Sequence, residues 1–124
     1  MRRILLVEDD RFLRRACEIG LRAKGHTVVT AVDGEEGLRL ARSDQFDLIL
    51  LDMLMPKLTG LEVLRSLKAD KATASIPVMI LSNSTREQDI SEVIRLGAVD
   101  YVVKADVSLD QLAEKLADFF AAAR

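Results

Sequence analysis

Cysteine is nearly absent from this 124-residue chain, and so are long apolar runs, clustered charge of one sign and glycine-rich loops. The one cysteine, Cys17, has no partner for an internal disulfide, and its helical surroundings make it a small core or boundary residue, not a nucleophile. The one histidine, His26, stands at the start of a short strand with no second His or Cys nearby, which argues against metal ligation there. No apolar stretch is long enough to span a bilayer. Met1-Arg2-Arg3 before Ile4-Leu5-Leu6-Val7 is no signal peptide, because acids follow the apolar residues at once. The 18 Lys and Arg and 20 Asp and Glu leave a net charge of −2 and are scattered, so the basic footprint of a nucleic-acid or membrane binder is missing. No Gly-rich loop follows the first strand to cradle a nucleotide. The cytoplasm is the compartment these absences suit.

The chain has length for one domain, spanning residues 1–124, with no linker, repeat or output domain. Its centre is Asp47-Leu-Ile-Leu-Leu-Asp52, an apolar run that ends abruptly in a carboxylate; Pro56, lacking an N–H, stops any continuation as a central strand. Arg3 to Val7 is a similar strand ending in Glu8, Asp9 and Asp10. His26–Thr30, Ile76–Leu81 and Val99–Val103 complete five strands, the last two followed by Ser82 and Lys104. Helices fill the intervals. Asp10, the pair Asp33 and Glu36, Thr59 with Glu62, Ser84 with Glu87, and Ser108 with Gln111 signal their starts. The expected inward stripes are Phe12, Ala16, Ile19 and Ala23 in helix 1, Leu61, Leu64 and Leu67 in helix 3, Ile90, Val93 and Ile94 in helix 4, and Leu109, Leu112, Leu116 and Phe119 in helix 5.

Five alternations of strand and helix predict an α/β, flavodoxin-like doubly wound (βα)5 fold, with a five-stranded parallel sheet of order 2-1-3-4-5 and helices on both faces. That order makes strands 1 and 3 neighbours, so Glu8, Asp9 and Asp52 converge at the carboxyl rim, with Ser82 and Lys104 approaching from one side. Like charges so close need a cation, and oxygen donors without His or Cys suit Mg²⁺. Lys104 and Ser82 then fit a phosphoryl group beside Asp52, which a carboxylate nucleophile accepts as an acyl phosphate.

In this order, at these strand ends, Glu8-Asp9, Asp52 with Met55-Pro56 and Gly60, Ser82, and Tyr101 with Lys104 make the sequence resemble a receiver domain of two-component response regulators, chemotaxis regulators included, across essentially the whole chain. The resemblance implies a signalling switch, not an enzyme: Asp52 is phosphorylated by a histidine kinase or phosphotransfer protein, and the domain slowly dephosphorylates itself. It also implies Mg²⁺ on Glu8, Asp9, Asp52 and the backbone carbonyl of Leu54. Ser82 and Lys104 would bind the phosphoryl oxygens, and Tyr101 would swing inward. The face of helix 4, strand 5 and helix 5 would report to a downstream protein and is the face available for a homodimer, with Glu92, Arg95, Glu114 and Lys115 either paired between subunits or solvated.

Two residues depart from the family pattern. Ala105 replaces the usual proline after Lys104, which favours a trans peptide, and Asn83 replaces a small residue where it narrows access to Asp52. The competing reading is a receiver-like scaffold that works by contact without phosphate. A Mg²⁺-dependent phosphohydrolase is disfavoured, because the position of its second acid is occupied by Leu54.

Overall fold

The computed structural model describes residues 2–123. Its elements follow strictly as β1 (Arg3–Val7), α1 (Arg11–Ala23), β2 (Thr27–Ala31), α2 (Gly34–Ser43), β3 (Leu48–Asp52), α3 (Gly60–Ala69), β4 (Val78–Ser82), α4 (Glu87–Arg95), β5 (Asp100–Val103), a 3-10 turn (Lys104–Asp106) and α5 (Leu109–Ala122). The strands are all parallel, in the order β2-β1-β3-β4-β5, as the alternation predicts.

Strands β3 and β4 are buried along their whole length, and alternate residues serve opposite faces. Leu5, Val7, Ile49, Leu51, Val78 and Ile80 pack with residues of α2, α3 and α4 such as Leu38, Leu64 and Val93. Ile4, Leu6, Leu48, Leu50, Met79 and Leu81 pack with Cys17 and Leu21 of α1 and Leu112 and Leu116 of α5. Continuous apolar runs are therefore required, because neither face meets water.

The capping signals of α1, α2, α3 and α5 hold: Asp10, Asp33, Thr59 and Ser108 each accept backbone amides at their helix starts, and the last two form complete capping boxes. The expected pair of Ser84 and Glu87 does not form. Arg86 precedes α4 without a side-chain cap, and Ser84 Oγ instead donates to Asp89 Oδ2 at 2.6 Å and accepts from the Arg86 amide. Ser84 is held outside the helix because its amide donates to Ser82 Oγ and its carbonyl accepts from Tyr101 Oη.

Five inward assignments, in three helices, also change. In α1 the residues facing the sheet are Cys17 and Leu21, with Leu13 packed beside them, whereas Phe12 is 86% and Ile19 56% exposed and Ala23 is exposed too. Two apolar stripes of helical spacing run side by side on this helix, about 100° apart, and periodicity alone does not choose between them. Ile94 in α4 and Leu109 in α5 are likewise exposed; Val93, as expected, packs in the core, and in α5 Leu112, Leu116 and Phe120 are buried with Phe119 packed against them. Strands β2, β4 and β5 begin one or two residues later than the apolar pattern indicates. Lys104–Ala105 is trans, since there is no cis peptide among the described residues.

Candidate functional site

Strand register brings the rim together. Val7 pairs with Leu51, so Glu8 follows beside Asp52. Asp52 pairs with Leu81 and Ser82 with Val103, so the rim steps outward by one residue per strand, from Asp52 to Ser82 to Lys104. Glu8, Asp9 and Asp52 each offer a carboxylate oxygen within 4.8 Å of the others. Glu8 is fully buried and Asp52 only 4% exposed, while Asp9 faces solvent.

Lys104 Nζ lies 2.8 Å from Glu8 Oε1 and 2.9 Å from Asp52 Oδ1. Among the described residues no other cation pairs with either carboxylate. Two buried anions thus share one ammonium, and Glu8 Oε1 lacks a well-aligned hydrogen bond despite that contact. Burial, together with the hydrogen-bonding Glu8 carboxylate, pushes the Asp52 carboxyl up to about 7, against the opposing pull of Lys104. For Lys104 burial works downward, but its bonds to Glu8 and Asp52 outweigh it and leave the ammonium raised.

The surrounding backbone is locked. Asp10 N donates to Glu8 Oε2 at 3.1 Å. Arg14 Nη1, which sequence reasoning did not single out, donates to the Glu8 carbonyl at 2.9 Å and the Asp9 carbonyl at 3.3 Å; an arginine in a helix's second turn gives no sequence signal for that task. A Cβ on Gly60 would lie 2.4 Å from the Asp52 carbonyl oxygen, so only glycine allows α3 to start this close to the acid. Leu54 has an exposed side chain, and its amide reaches Asp52 Oδ1 only at 3.5 Å. Ser82 is buried and, with Met53, Leu54, Thr59, Leu61 and Ser84, lines a cleft of about 440 Å³. Asn83 is exposed beside it.

Tyr101 is half-buried against the α2–α4 side of the core. The charged residues of the neighbouring face pair within the chain: Arg65 and Arg95 with Glu92, and Lys115 with Asp100. Burial pushes the Cys17 thiol up to about 11, the nearby Glu8 adding to it, which leaves it the packing role its position indicates. His26 stacks near Phe120, ring centroids 5.6 Å apart, and lies outside the acid cluster.

A doubly wound sheet of this order, with acids gathered where the strand order reverses and a lysine reaching them from the last strand, defines a class of rim-site α/β domains. Within it, this chain belongs to the response regulator receiver domain family, whose model matches residues 4–117. It is 44% identical over 103 residues to the transcriptional regulatory protein AfsQ1 of Streptomyces coelicolor, covering 82% of this chain and 44% of that protein. Over 114 residues it is 39% identical to the gliding motility regulatory protein of Myxococcus xanthus, covering 92% of this chain and 15% of that one. The chain thus spans less than half the length of these relatives. Among solved structures, the receiver domain of Francisella response regulator 1452 superposes with a TM-score of 0.90 at 27% identity, covering 100% of both chains. The Vibrio cholerae chemotaxis protein CheY4 superposes with a TM-score of 0.88 at 29% identity, over 95% of this chain and 98% of its own. The family is one of signalling switches. No helix among the described residues is long and apolar enough to cross a membrane.

Proposed function

We propose that residues 1–124 form a cytoplasmic phosphorelay receiver that takes a phosphoryl group on Asp52 from a histidine kinase or phosphotransfer protein in a Mg²⁺-dependent reaction. The supporting observation is the charge imbalance at the rim: two buried carboxylates and an exposed third, all hard oxygen donors, face one ammonium. That donor set fits Mg²⁺ better than a softer metal. Glu8, Asp9, Asp52 and the Leu54 carbonyl would hold it, and when bound it would neutralise charge on the incoming phosphoryl oxygens.

In the transfer, an Asp52 carboxylate oxygen attacks phosphorus, a P–O bond forms as the donor's P–N bond breaks, and the donor imidazole takes a proton. Lys104, already bonded to Asp52, turns its charge to the phosphoryl oxygens. Ser82 supplies a hydroxyl donor from the next strand, and moving towards the phosphoryl group would draw on the Ser84 amide that donates to its oxygen. That amide belongs to the residue whose carbonyl holds Tyr101, which gives the phosphoryl group a route to α4, β5 and α5 and to a downstream protein. Self-catalysis is confined to this transfer and its slow hydrolysis.

A protein donor is supported by α1. Phe12, Ala16, Ile19 and Ala23 follow the spacing of a helix-packing seam, are largely uncovered, and begin two residues after the acid pair and its cap. Arg11, Arg15 and Arg22 flank them, which suits a partner helix with acidic residues beside its apolar stripe.

The test is incubation with Mg²⁺ and acetyl phosphate, or with a beryllofluoride mimic, read by intact mass and NMR. The wild type should gain one phosphoryl group and Asp52→Asn none. No mass gain and no ligand-dependent shift would favour a scaffold that acts by contact alone.

A further inference from the structure

The loop between β3 and α3 holds a backbone feature that phosphotransfer leaves unused. Lys57 is the one non-glycine residue with positive φ among those described, at 70°, a left-handed conformation that strains any residue with a Cβ. Its Nζ lies 3.2 Å from Asp33 Oδ2. The other oxygen of the same carboxylate, Oδ1, accepts from the Glu36 amide at 2.9 Å and caps α2. One carboxylate therefore grips the start of a helix with one oxygen and the tip of the loop with the other. The Asp33 side chain is only 13% exposed, against 56% for Lys57. The bond holds Lys57 above its ordinary pKa.

Backbone contacts reinforce the grip. A Cβ on Gly34 would come within 2.8 Å of Leu58 Cβ and 3.1 Å of the Leu58 carbonyl oxygen, so α2 begins directly against the loop. The loop's base is closed where Gly60 N donates to the Met53 carbonyl at 2.8 Å. Between base and tip stands Leu54, with an exposed side chain and only the 3.5 Å contact from its amide to Asp52. Among the described residues no hydrogen bond reaches the Leu54 carbonyl itself. A partly exposed ion pair adds little to overall stability, so its effect is better sought in which shape the loop keeps.

We propose that Lys57 and Asp33 form a positioning clasp for the cation site: by pinning the loop tip to α2 they hold the Leu54 peptide where its carbonyl completes the ligand set of Glu8, Asp9 and Asp52. This rests on the Mg²⁺ reading given above. The two residues act through the loop and do not touch the ion.

The test is Mg²⁺ titration calorimetry on the intact chain for the wild type, Lys57→Met, Asp33→Asn, the double variant and Lys57→Arg, with hydrogen exchange of amides 54–58 measured without Mg²⁺. Asn at 33 still caps a helix. The clasp predicts that both single variants bind Mg²⁺ about 10-fold more weakly, the lower end for outer residues of metal sites. The double variant should be no weaker than either single one, Lys57→Arg should bind like the wild type, and loop exchange should quicken in both single variants. Simple long-range charge predicts the opposite sign for one of them, because removing the positive Lys57 would tighten Mg²⁺ while removing Asp33 would loosen it, additively. That pattern, or unchanged affinity and exchange, overturns the clasp and leaves the cation site standing. A wild type that binds no Mg²⁺ overturns both.

Discussion

Tyr101 Oη donates to the backbone carbonyl of Ser84 at 2.8 Å, tying β5 to the loop that leaves the site at Ser82. Ser84 also donates its amide to Ser82 Oγ at 3.1 Å and its hydroxyl to Asp89 in the first turn of α4. One residue thus joins the buried serine of the site to the tyrosine and the helix of the proposed output face.

Removing the tyrosine hydroxyl should uncouple that face without touching the acids. Tyr101→Phe loses one neutral hydrogen bond, worth about 1 kcal/mol. Phosphorylation by acetyl phosphate should proceed as in the wild type. The amide shifts of α4 induced by beryllofluoride should shrink severalfold; full wild-type shifts would show that the tyrosine does not report the site.

Stability without metal should fall as the solution becomes less acidic. Asp52 is held near pKa 7 in the folded chain, against about 4 when unfolded. The folded state therefore binds the extra proton between these values. The stability this contributes is complete below about pH 4 and is lost as pH rises through about 7. In chelator, Asp52→Asn should lack this dependence, matching the wild type at pH 4 and exceeding it at pH 8 by on the order of 4 kcal/mol. Urea denaturation at the two pH values measures it, and parallel curves for the two proteins would refute it.

The exposed α1 stripe should matter to a protein donor and not to a small one. Phe12 is 86% exposed, so Phe12→Ala should change folding stability by less than about 0.5 kcal/mol. Transfer from a cognate phosphorylated histidine protein should slow about tenfold or more, as for loss of an aromatic anchor. The rate with acetyl phosphate should stay the same. Equal slowing with both donors would place the effect inside the site instead.

Asn83 stands exposed, next in sequence to buried Ser82 at the end of the strand that pairs with that of Asp52. Asn83→Ala should ease the approach to Asp52 and so raise the rate of acetyl phosphate labelling. Stopped-flow or mass-resolved time courses give the rates, and equal rates would remove Asn83 as a gate.

Much of the architecture was legible beforehand because it follows from local chemistry. Runs such as Leu48-Ile49-Leu50-Leu51 have to be buried on both faces, and side chains such as Asp10, Thr59 and Ser108 cap the helix they precede. Strand order then followed from the connections, and with it the meeting of Glu8, Asp9 and Asp52 at one rim. The failures occurred where two local solutions were equally good. Ser84 and Glu87 spell a capping box, yet bonds to Ser82 and Tyr101 from other strands hold Ser84 out of the helix. Phe12 and Ile19 have the spacing of a buried stripe, yet Cys17 and Leu21 beside them face the sheet.

By itself the sequence determined the alternation of strands and helices, the acids at the strand ends and the lysine after the last strand, since these depend on side-chain type and spacing. Only the tertiary structure decided how many buried anions share Lys104, which face of α1 stays bare, and that Lys57 reaches Asp33 on another element. Those are matters of register, helix rotation and loop path, set by contacts between residues far apart in the chain, and no local pattern encodes them.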